Sequence, residues 1–552
     1  MKNNEKNLAR EKCLLQAVDE LGQGSSLVWI VFIINLFTLQ LFGLNSMAYV
    51  FIAEIPEFRC FIPELSDANW TTDQINDISI FDTCQRYDHN HTHLANLGYD
   101  RSIKFVEELE FLPNIISCSS FTFDNERSTI VDEWELVCEK KLYRATTFLL
   151  YALGITCGSG ILGIYADTYG RKKSLVISIV LQVIAGPASA LAPWFWAYSL
   201  CRFITGISTG GMYSSAFTIL SEIAKDKRRK IFAASIDSTF SIGIFCLIGI
   251  AHFLTNWRQI QFGISCFLIP IIVLIWFIPE SPRWLISQNR YDEAQKIIEK
   301  YHKSFALTLS SSEENKKKES QLSSVANIPV IKNILVTPKK EGSFFRRNFG
   351  SLGILLTTSD LRRKILFMYF SYYVTTVVSL SLVFSIDNFK ADRYIYMSVV
   401  ALNEIIAHMT ILVILMFVSP RRLLVIVYMV GAVLTISILA ASEENKTMIM
   451  GLALAARFCT SASFTINLVL NTELFSSNVR NTALGTCVVT GQLGSLTTPY
   501  IVDILGSIAF WAPTTLCSVL FLLASLFGLI LPRPKLEEEE NPLGVKEDVT
   551  KS

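Results

Sequence analysis

The chain contains no GKS or GKT triplet, no HExxH and no CxxC pair. Without the first there is no Walker loop to cradle nucleotide phosphates, so an ATP engine within this chain is excluded. No nucleophile–base or metal constellation emerges from the remaining residues; no catalytic residue, cofactor or metal is expected, and an enzyme is disfavoured. Net charge is equally scarce, 49 Lys and Arg against 48 Asp and Glu in 552 residues, which by itself says nothing about nucleic acid; no nucleic acid partner is expected. The opening stretch MKNNEKNLAREKCLLQAVDE is charged and has no apolar core, so no cleavable signal peptide is expected. One motif that is present misleads. Gly158-Ser159-Gly160-Ile161-Leu162-Gly163 spells the dinucleotide fingerprint GxGxxG inside an apolar run with no preceding strand. At that spacing glycines let membrane helices approach closely.

What the chain has in quantity is hydrophobic sequence, 51% of its residues. It comes in blocks of about 20, the length that crosses a hydrocarbon core as helix. Twelve blocks begin near Leu27, Ala145, Ser174, Ser199, Ile231, Trp257, Lys364, Tyr394, Leu423, Thr447, Asn481 and Ala509. The expected fold is an all-α membrane protein of twelve helices in two six-helix bundles, residues 27–279 and 364–531, with a large extracellular loop at 51–144. Residues 1–26, the connector 280–363 and the tail 532–552 are expected in the cytoplasm. Basic clusters set that orientation: GRKK ending at Lys173, KDKRRK from Lys225, SPRR from Ser419, Arg480 and the connector all fall on one side. The middle of the connector, LSSSEENKKKESQLSS, reads as a solvated linker, with a short helix at SPRWLISQNRYDEAQKIIEKY.

The 51–144 loop contains Cys60, Cys84, Cys118 and Cys138, which suggests two disulfides with three pairings open. It also contains two glycosylation sequons, at Asn69 and Asn90. A faint internal repeat relates the bundles: CRFITG leads to SEIAKDKRR in the fourth block and ARFCTS to TELFSSNVR in the tenth. Glu222 thereby corresponds to Glu473, and Arg229 to Arg480. Matched bundles with a substrate held between them are a common secondary-transporter plan.

The spacing Gly163-x3-Asp167-x2-Gly170-Arg171-Lys172-Lys173 suits a tight helical hairpin, with charges that either anchor topology or work as a gate. Glu404 and Arg457 lie inside apolar blocks, where an ionisable group is by default a functional candidate. Arg202 reads as structural, and Asp237 has no assigned role.

Taken together, the motifs resemble the organic cation/anion/carnitine transporter family of the major facilitator superfamily over essentially the full length. GIYADTYGRKK resembles the superfamily signature between the second and third helices. PEFRC, STIVDEWELVC, NWRQIQ, PESPRWLISQNRYDEA, TELFSSNVRN and GQLGSLTTPY resemble family segments elsewhere. The resemblance implies a polyspecific plasma-membrane carrier of small organic ions, working by alternating access within membrane lipid. It implies a cytoplasmic gate of Gly163, Asp167, Gly170, Arg171, Glu222, Glu473 and Arg480, and a substrate cavity including Gln492, Glu404, Arg457, Tyr372 and Tyr213. Where family members tend to hold Asp or Arg, this chain has the neutral Gln492. Ser379-Leu380-Ser381 replaces an aromatic pair and glycine, and Pro420 stands where the second-half arginine signature usually has Gly. The rival readings are a non-transporting receptor or scaffold of the same fold, and a sugar-type carrier, against which the cysteine-bearing loop argues.

Overall fold

The structure is a computed structural model that describes residues 2–22, 24–108, 114–124, 127–224, 226–310, 353, 355–386, 392–441, 445–475, 477–509 and 511–530. Most of the connector beyond Ser310 and the whole 532–552 tail lie outside the described residues, as do the side chains of Asp237 and Arg480.

All twelve apolar blocks form helices. In chain order, α1 (Lys2–Leu21) precedes α2 (Ser26–Met47), which runs on through Tyr49–Ile52. After the loop come α3 (Lys141–Tyr169), α4 (Arg171–Ala190), α5 (Phe195–Ile223) and α6 (Asp226–Phe253). The sixth block is broken at Phe267 into α7 (Trp257–Cys266) and α8 (Leu268–Ile275). Helix α9 (Tyr291–Ser310) belongs to the connector. The second half comprises α10 (Ser359–Phe384), α11 (Arg393–Ile414), α12 (Pro420–Ala440), α13 (Lys446–Leu474), α14 (Ser477–Tyr500) and α15 (Ala512–Ile530). Among the described residues nine helical segments are long and apolar enough to cross a membrane. The α5 and α14 blocks fall short, and of α6 the described side chains cover the apolar stretch Ser238–Phe253. In α5 the cause is visible: its Ser, Thr and Gly positions are buried against neighbouring helices, so they need not satisfy lipid.

The glycines of the false dinucleotide motif belong to that packing. A Cβ on Gly154 or Gly158 would strike the α5 backbone at Phe203 or Ile207, and one on Gly206 or Gly210 would strike α3 at Tyr151 or Ile155. The pattern is a helix–helix seam. Gly206-Ile207-Ser208-Thr209-Gly210 also spells the GxSxG of a nucleophile elbow, but it lies in mid-helix, with Ser208 Oγ donating to the Ser178 carbonyl at 2.6 Å.

The 51–144 segment folds into a small domain at one end of the bundle, the domain end. Strand β1 (Glu57–Cys60) pairs antiparallel with β5 (Phe121–Asp124), while β2 (Ile80–Asp82), β3 (Gln85–Tyr87) and β4 (Ile115–Ser117) form a second antiparallel sheet. Of the three open pairings the structure adopts Cys60–Cys118 and Cys84–Cys138. A separate apolar core of Ile62, Leu65, Ile78 and Leu94 fills the domain. Two segments quoted independently above meet beneath it. Trp257 Nε1 donates to Glu133 at 2.7 Å, Arg258 also pairs with Glu133, and Ser128 exchanges backbone hydrogen bonds with Thr255 and Trp257. The loop boundary shifts accordingly. Arg144, counted with the loop by sequence, lies in the first turns of α3 and is 4% exposed.

The opposite, basic end carries α1, the 171–173 knot and the first part of the connector, through Ser310. The single helix expected at SPRWLISQNRYDEAQKIIEKY is two, Pro282–Ser287 and α9. Asn289 separates them at φ 59°, a conformation that Asn tolerates at a helix C-terminus.

Candidate functional site

At the basic end, Gly170 takes φ +118°, and a Cβ there would run into the Glu280 carboxylate. That turn lets Glu280 Oε1 accept from the backbone N–H of Arg171, Lys172 and Ser281 at 2.8, 3.1 and 3.0 Å. The Arg171 guanidinium then reaches Asp167 at 2.8 Å and Glu222 at 3.0 Å, while Nη1 donates to the Ala166 carbonyl. Ser281 Oγ donates to the other Glu222 oxygen, and Trp284 Nε1 to the Asp167 carbonyl. One cation thus ties the ends of α3, α4 and α5, and the connector's PESPRW segment docks on the same knot. Gly163 faces Ser214 of α5 across a cleft of about 230 Å³, lined also by Ser159, Ile164, Asp167 and Thr218. Glu473, the counterpart of Glu222 in the repeat, is exposed at the end of α13. Arg480 lies outside the described side chains, so among the described residues the assembled part of the expected gate is that of the first half.

Near mid-helix, Glu404 and Arg457 form a buried ion pair, 7% and 5% exposed at their side chains. Arg457 also donates to Ser379 and Thr460, and Ser241 of α6 donates to Glu404 at 3.0 Å. Taking such charges out of water is costly unless hydrogen bonds complete the pair. Ser379, one of the residues that departs from the family pattern, supplies one of them. Further along the same helices, Ser371, Thr375, Tyr428 and Asn467 form a hydrogen-bonded cluster that locks α10, α12 and α13 together; Ser371 Oγ lies 2.6 Å from Tyr428 Oη.

The remaining cavity candidates do not converge on the ion pair. Tyr372 is 3% exposed and packs on the Phe464 ring at 6.1 Å. Tyr213 belongs to an aromatic cluster of the first half, 6.0 Å from Phe42 and stacked on Phe217. Gln492 is partly exposed on α14. Gly491 and Gly494 press against α10, and the 100° helical step turns Gln492 away from that packed side.

Sequence reading misses the seam at the domain end. Arg144 and Asp503 form a buried ion pair between the halves at 3.3 Å, with side chains 5% and 4% exposed. The Arg144 guanidinium also lies 5.3 Å from the centre of the Tyr49 ring. Tyr49, Phe148 and Phe384 meet as a three-ring plug, with Phe384 4.9 Å from each of the other two. Around them, Arg393 pairs with Glu54 at 2.9 Å and Thr146 bonds Tyr500 at 2.9 Å. Asp503 sits in a π-helical turn, Ile501–Leu505, that follows Pro499. Widened turns of this kind often mark functional positions, and Pro499 inside an apolar block was the available signal. At the basic end of the second half, Arg421 caps the α15 carbonyls of Gly528 and Leu529. Pro420 fits as the first residue of α12, where its missing N–H costs nothing.

Comparison with known proteins agrees with this architecture. The family model "Sugar (and other) transporter" matches residues 94–532. An organic cation transporter protein of Drosophila melanogaster is 28% identical over 498 residues, covering 88% of this chain and 86% of its own. The organic cation/carnitine transporter 2 of Homo sapiens is 25% identical, with 89% and 86% covered, and the organic anion transporter 3 of Oryctolagus cuniculus is 25% identical, with 88% and 85% covered. Among solved structures, a D-xylose–proton symporter superposes with TM-score 0.58 at 13% identity, covering 92% of this chain and 99% of its own. A partially occluded inward-open form of the E. coli xylose transporter gives 0.58 at 14% identity, covering 93% and 99%. The chain therefore belongs to the sugar (and other) transporter family of the major facilitator superfamily, as a membrane transporter whose curated relatives include organic cation, anion and carnitine carriers.

Proposed function

We propose that this protein carries small organic ions or zwitterions across the plasma membrane by alternating access, with both termini in the cytoplasm and the disulfide-braced domain outside. The observation that supports it most directly is the seam between the halves at the domain end. Arg144–Asp503, the aromatic plug and Arg393–Glu54 close it, while at the basic end the Arg171 pairs stay within the first half and Glu473 is exposed. That is the arrangement of a carrier shut on the side of the disulfide-braced domain. In this reading Arg171, Asp167 and Glu222 are the first-half part of the cytoplasmic gate, which Glu473 and Arg480 complete in the outward-open state. Asn69 and Asn90 support the extracellular assignment, since both are exposed. Asn90 caps a helix through Oδ1, accepting from the His93 N–H at 3.1 Å, which leaves Nδ2 for a glycan.

Substrate binding falls to the region between the halves, where Glu404 is already neutralised by Arg457 and Gln492 brings no charge. A site without net field suits amphipathic ions held mainly by apolar and aromatic contacts, with a few polar groups fixing orientation. The test is competition uptake with matched cationic, anionic and zwitterionic probes, repeated on Gln492→Asp and Gln492→Arg. Opposite changes in charge preference are expected, each about tenfold or more, given about 1.5–3 kcal/mol for a hydrogen bond to a charged group. Identical profiles in all three proteins would remove Gln492 from the cavity.

A further inference from the structure

Where α8 ends at the basic end, a cavity of about 290 Å³ opens between that terminus, the first turn of α4 and one side of α9. Lys172, Lys296 and Lys300 line it together with Trp276, Phe277 and Tyr301. Lys296 and Lys300 stand one helical turn apart on α9 and so share a face, while Lys172 comes from the hairpin more than a hundred residues earlier. None of the three has an ion-pair partner among the described residues. The neighbouring carboxylates are engaged elsewhere. Glu280 accepts from three backbone N–H groups, and Glu299 accepts from Gln295 at 2.8 Å. Tyr301 Oη donates to the Phe277 carbonyl at 3.2 Å, which holds α9 against the end of α8 and fixes the wall of the cavity. Lys300 Nζ lies 5.4 Å from the centre of the Tyr301 ring.

The apolar rim faces the membrane. Trp276 is 82% and Phe277 60% exposed, directly after a segment, Trp257–Ile275, that is long and apolar enough to span. Exposed Trp at the end of a span sits at headgroup level. Three cations in a hollow open toward that level form the basic pocket that phosphate-bearing lipid headgroups occupy.

We propose that this cavity binds the phosphate-bearing headgroup of an anionic lipid in the adjoining leaflet. The lysines take the phosphate, and Trp276 and Phe277 lie against the glycerol and first acyl carbons. A free phosphate would satisfy the lysines but leave the aromatic rim unused, so a lipid is the occupant the geometry selects. The headgroup joins α4 to α9 beside Arg171, so its occupancy braces the hairpin that carries the proposed gate.

The experiment uses the purified full-length chain in detergent micelles, titrated with a short-chain phosphoinositide, a short-chain phosphatidylcholine or inorganic phosphate. Binding is read by native mass spectrometry and by the shift in unfolding temperature. The parent should bind the phosphoinositide, more weakly as salt is raised, and should ignore phosphatidylcholine. At about fivefold per lysine, the triple variant K172Q/K296Q/K300Q should lose roughly a hundredfold in affinity. K172R/K296R/K300R should retain binding, which separates lost charge from lost fold. Trp276→Ala should weaken capture of the lipid. Equal affinity in the parent and the Gln variant overturns the proposal. So does inorganic phosphate binding as tightly as the lipid, which would make the site one for a free anion.

Discussion

The Arg144 guanidinium is held by two kinds of partner from opposite halves: the Asp503 carboxylate of the second and the Tyr49 ring of the first. Both members of the ion pair are buried, so removing one leaves the other charged in a low-dielectric seam, at a cost of about 3–5 kcal/mol to the closed state. Arg144→Gln and Asp503→Asn should therefore each cut uptake at least tenfold at normal surface abundance. The exchange Arg144→Asp with Asp503→Arg should recover part of it, because the swapped charges still meet. Uptake normalised to surface-labelled protein decides the matter, and single variants that transport normally would show that the pair does not support the transport cycle. The Glu404–Arg457 pair differs in kind, since both members belong to the second half and the first half reaches it through the Ser241 hydroxyl.

At the scale of elements, the α3–α5 seam depends on the absence of side chains at Gly154, Gly158, Gly206 and Gly210. Gly206→Leu forces apart two backbones that would have to move together, an overpacking cost of about 1–3 kcal/mol or more. It should lower the unfolding midpoint in detergent and reduce surface expression; an unchanged midpoint would mean the seam tolerates separation. This seam is partly legible in the sequence, since small residues at helical spacing inside an apolar run carry a physical meaning. The twelve blocks are legible for a stronger reason, because lipid imposes the same length requirement on every span. The Arg171 knot is also locally encoded, through Gly170 and the nearby Asp167, although its Glu280 support comes from beyond the sixth block. Arg144 and Asp503 are not legible. They are 359 residues apart, neither stands in a motif, and their meeting depends on how the two halves lean together. The disulfide pairing was open for a similar reason, since four cysteines in one loop carry no local mark of which strands adjoin.

For the whole molecule, the seam makes a direct mechanical prediction. The Tyr500 hydroxyl reaches Thr146 across the halves, so in Thr146→Cys with Tyr500→Cys a short bis-methanethiosulfonate linker, which spans the gap left by the tyrosine ring, should bridge the two thiols, arrest uptake and release it with reductant. Cross-linking without loss of uptake would mean that the domain end need not open. A second whole-molecule property is the acid response of the outer domain. Burial, together with the positive charge of Arg86 and the neighbouring His89, lowers the His91 pKa to about 4, against the opposing pull of Glu64 and Asp88. The folded domain therefore keeps His91 neutral where an unfolded chain would protonate it. The associated stability is complete above about pH 6.5 and is lost as pH falls toward 4, at most about 3 kcal/mol. Hydrogen exchange across 62–107 should quicken over that window in the parent and not in His91→Phe; matching profiles would exclude His91 as the cause. The same domain has a further consequence, set by where it is moored. Cys84–Cys138 and Glu133 fasten it to the first half, while toward the second half it meets Arg393 through Glu54, a pair of the closing seam, and lays Arg127 over the Tyr394 ring. It is therefore cargo on one arm of a lever. An antibody that grips the domain alone adds weight to that arm and leaves the stroke free, whereas one that also grips the chain around Arg393 is a pin through both arms and stops the machine from outside.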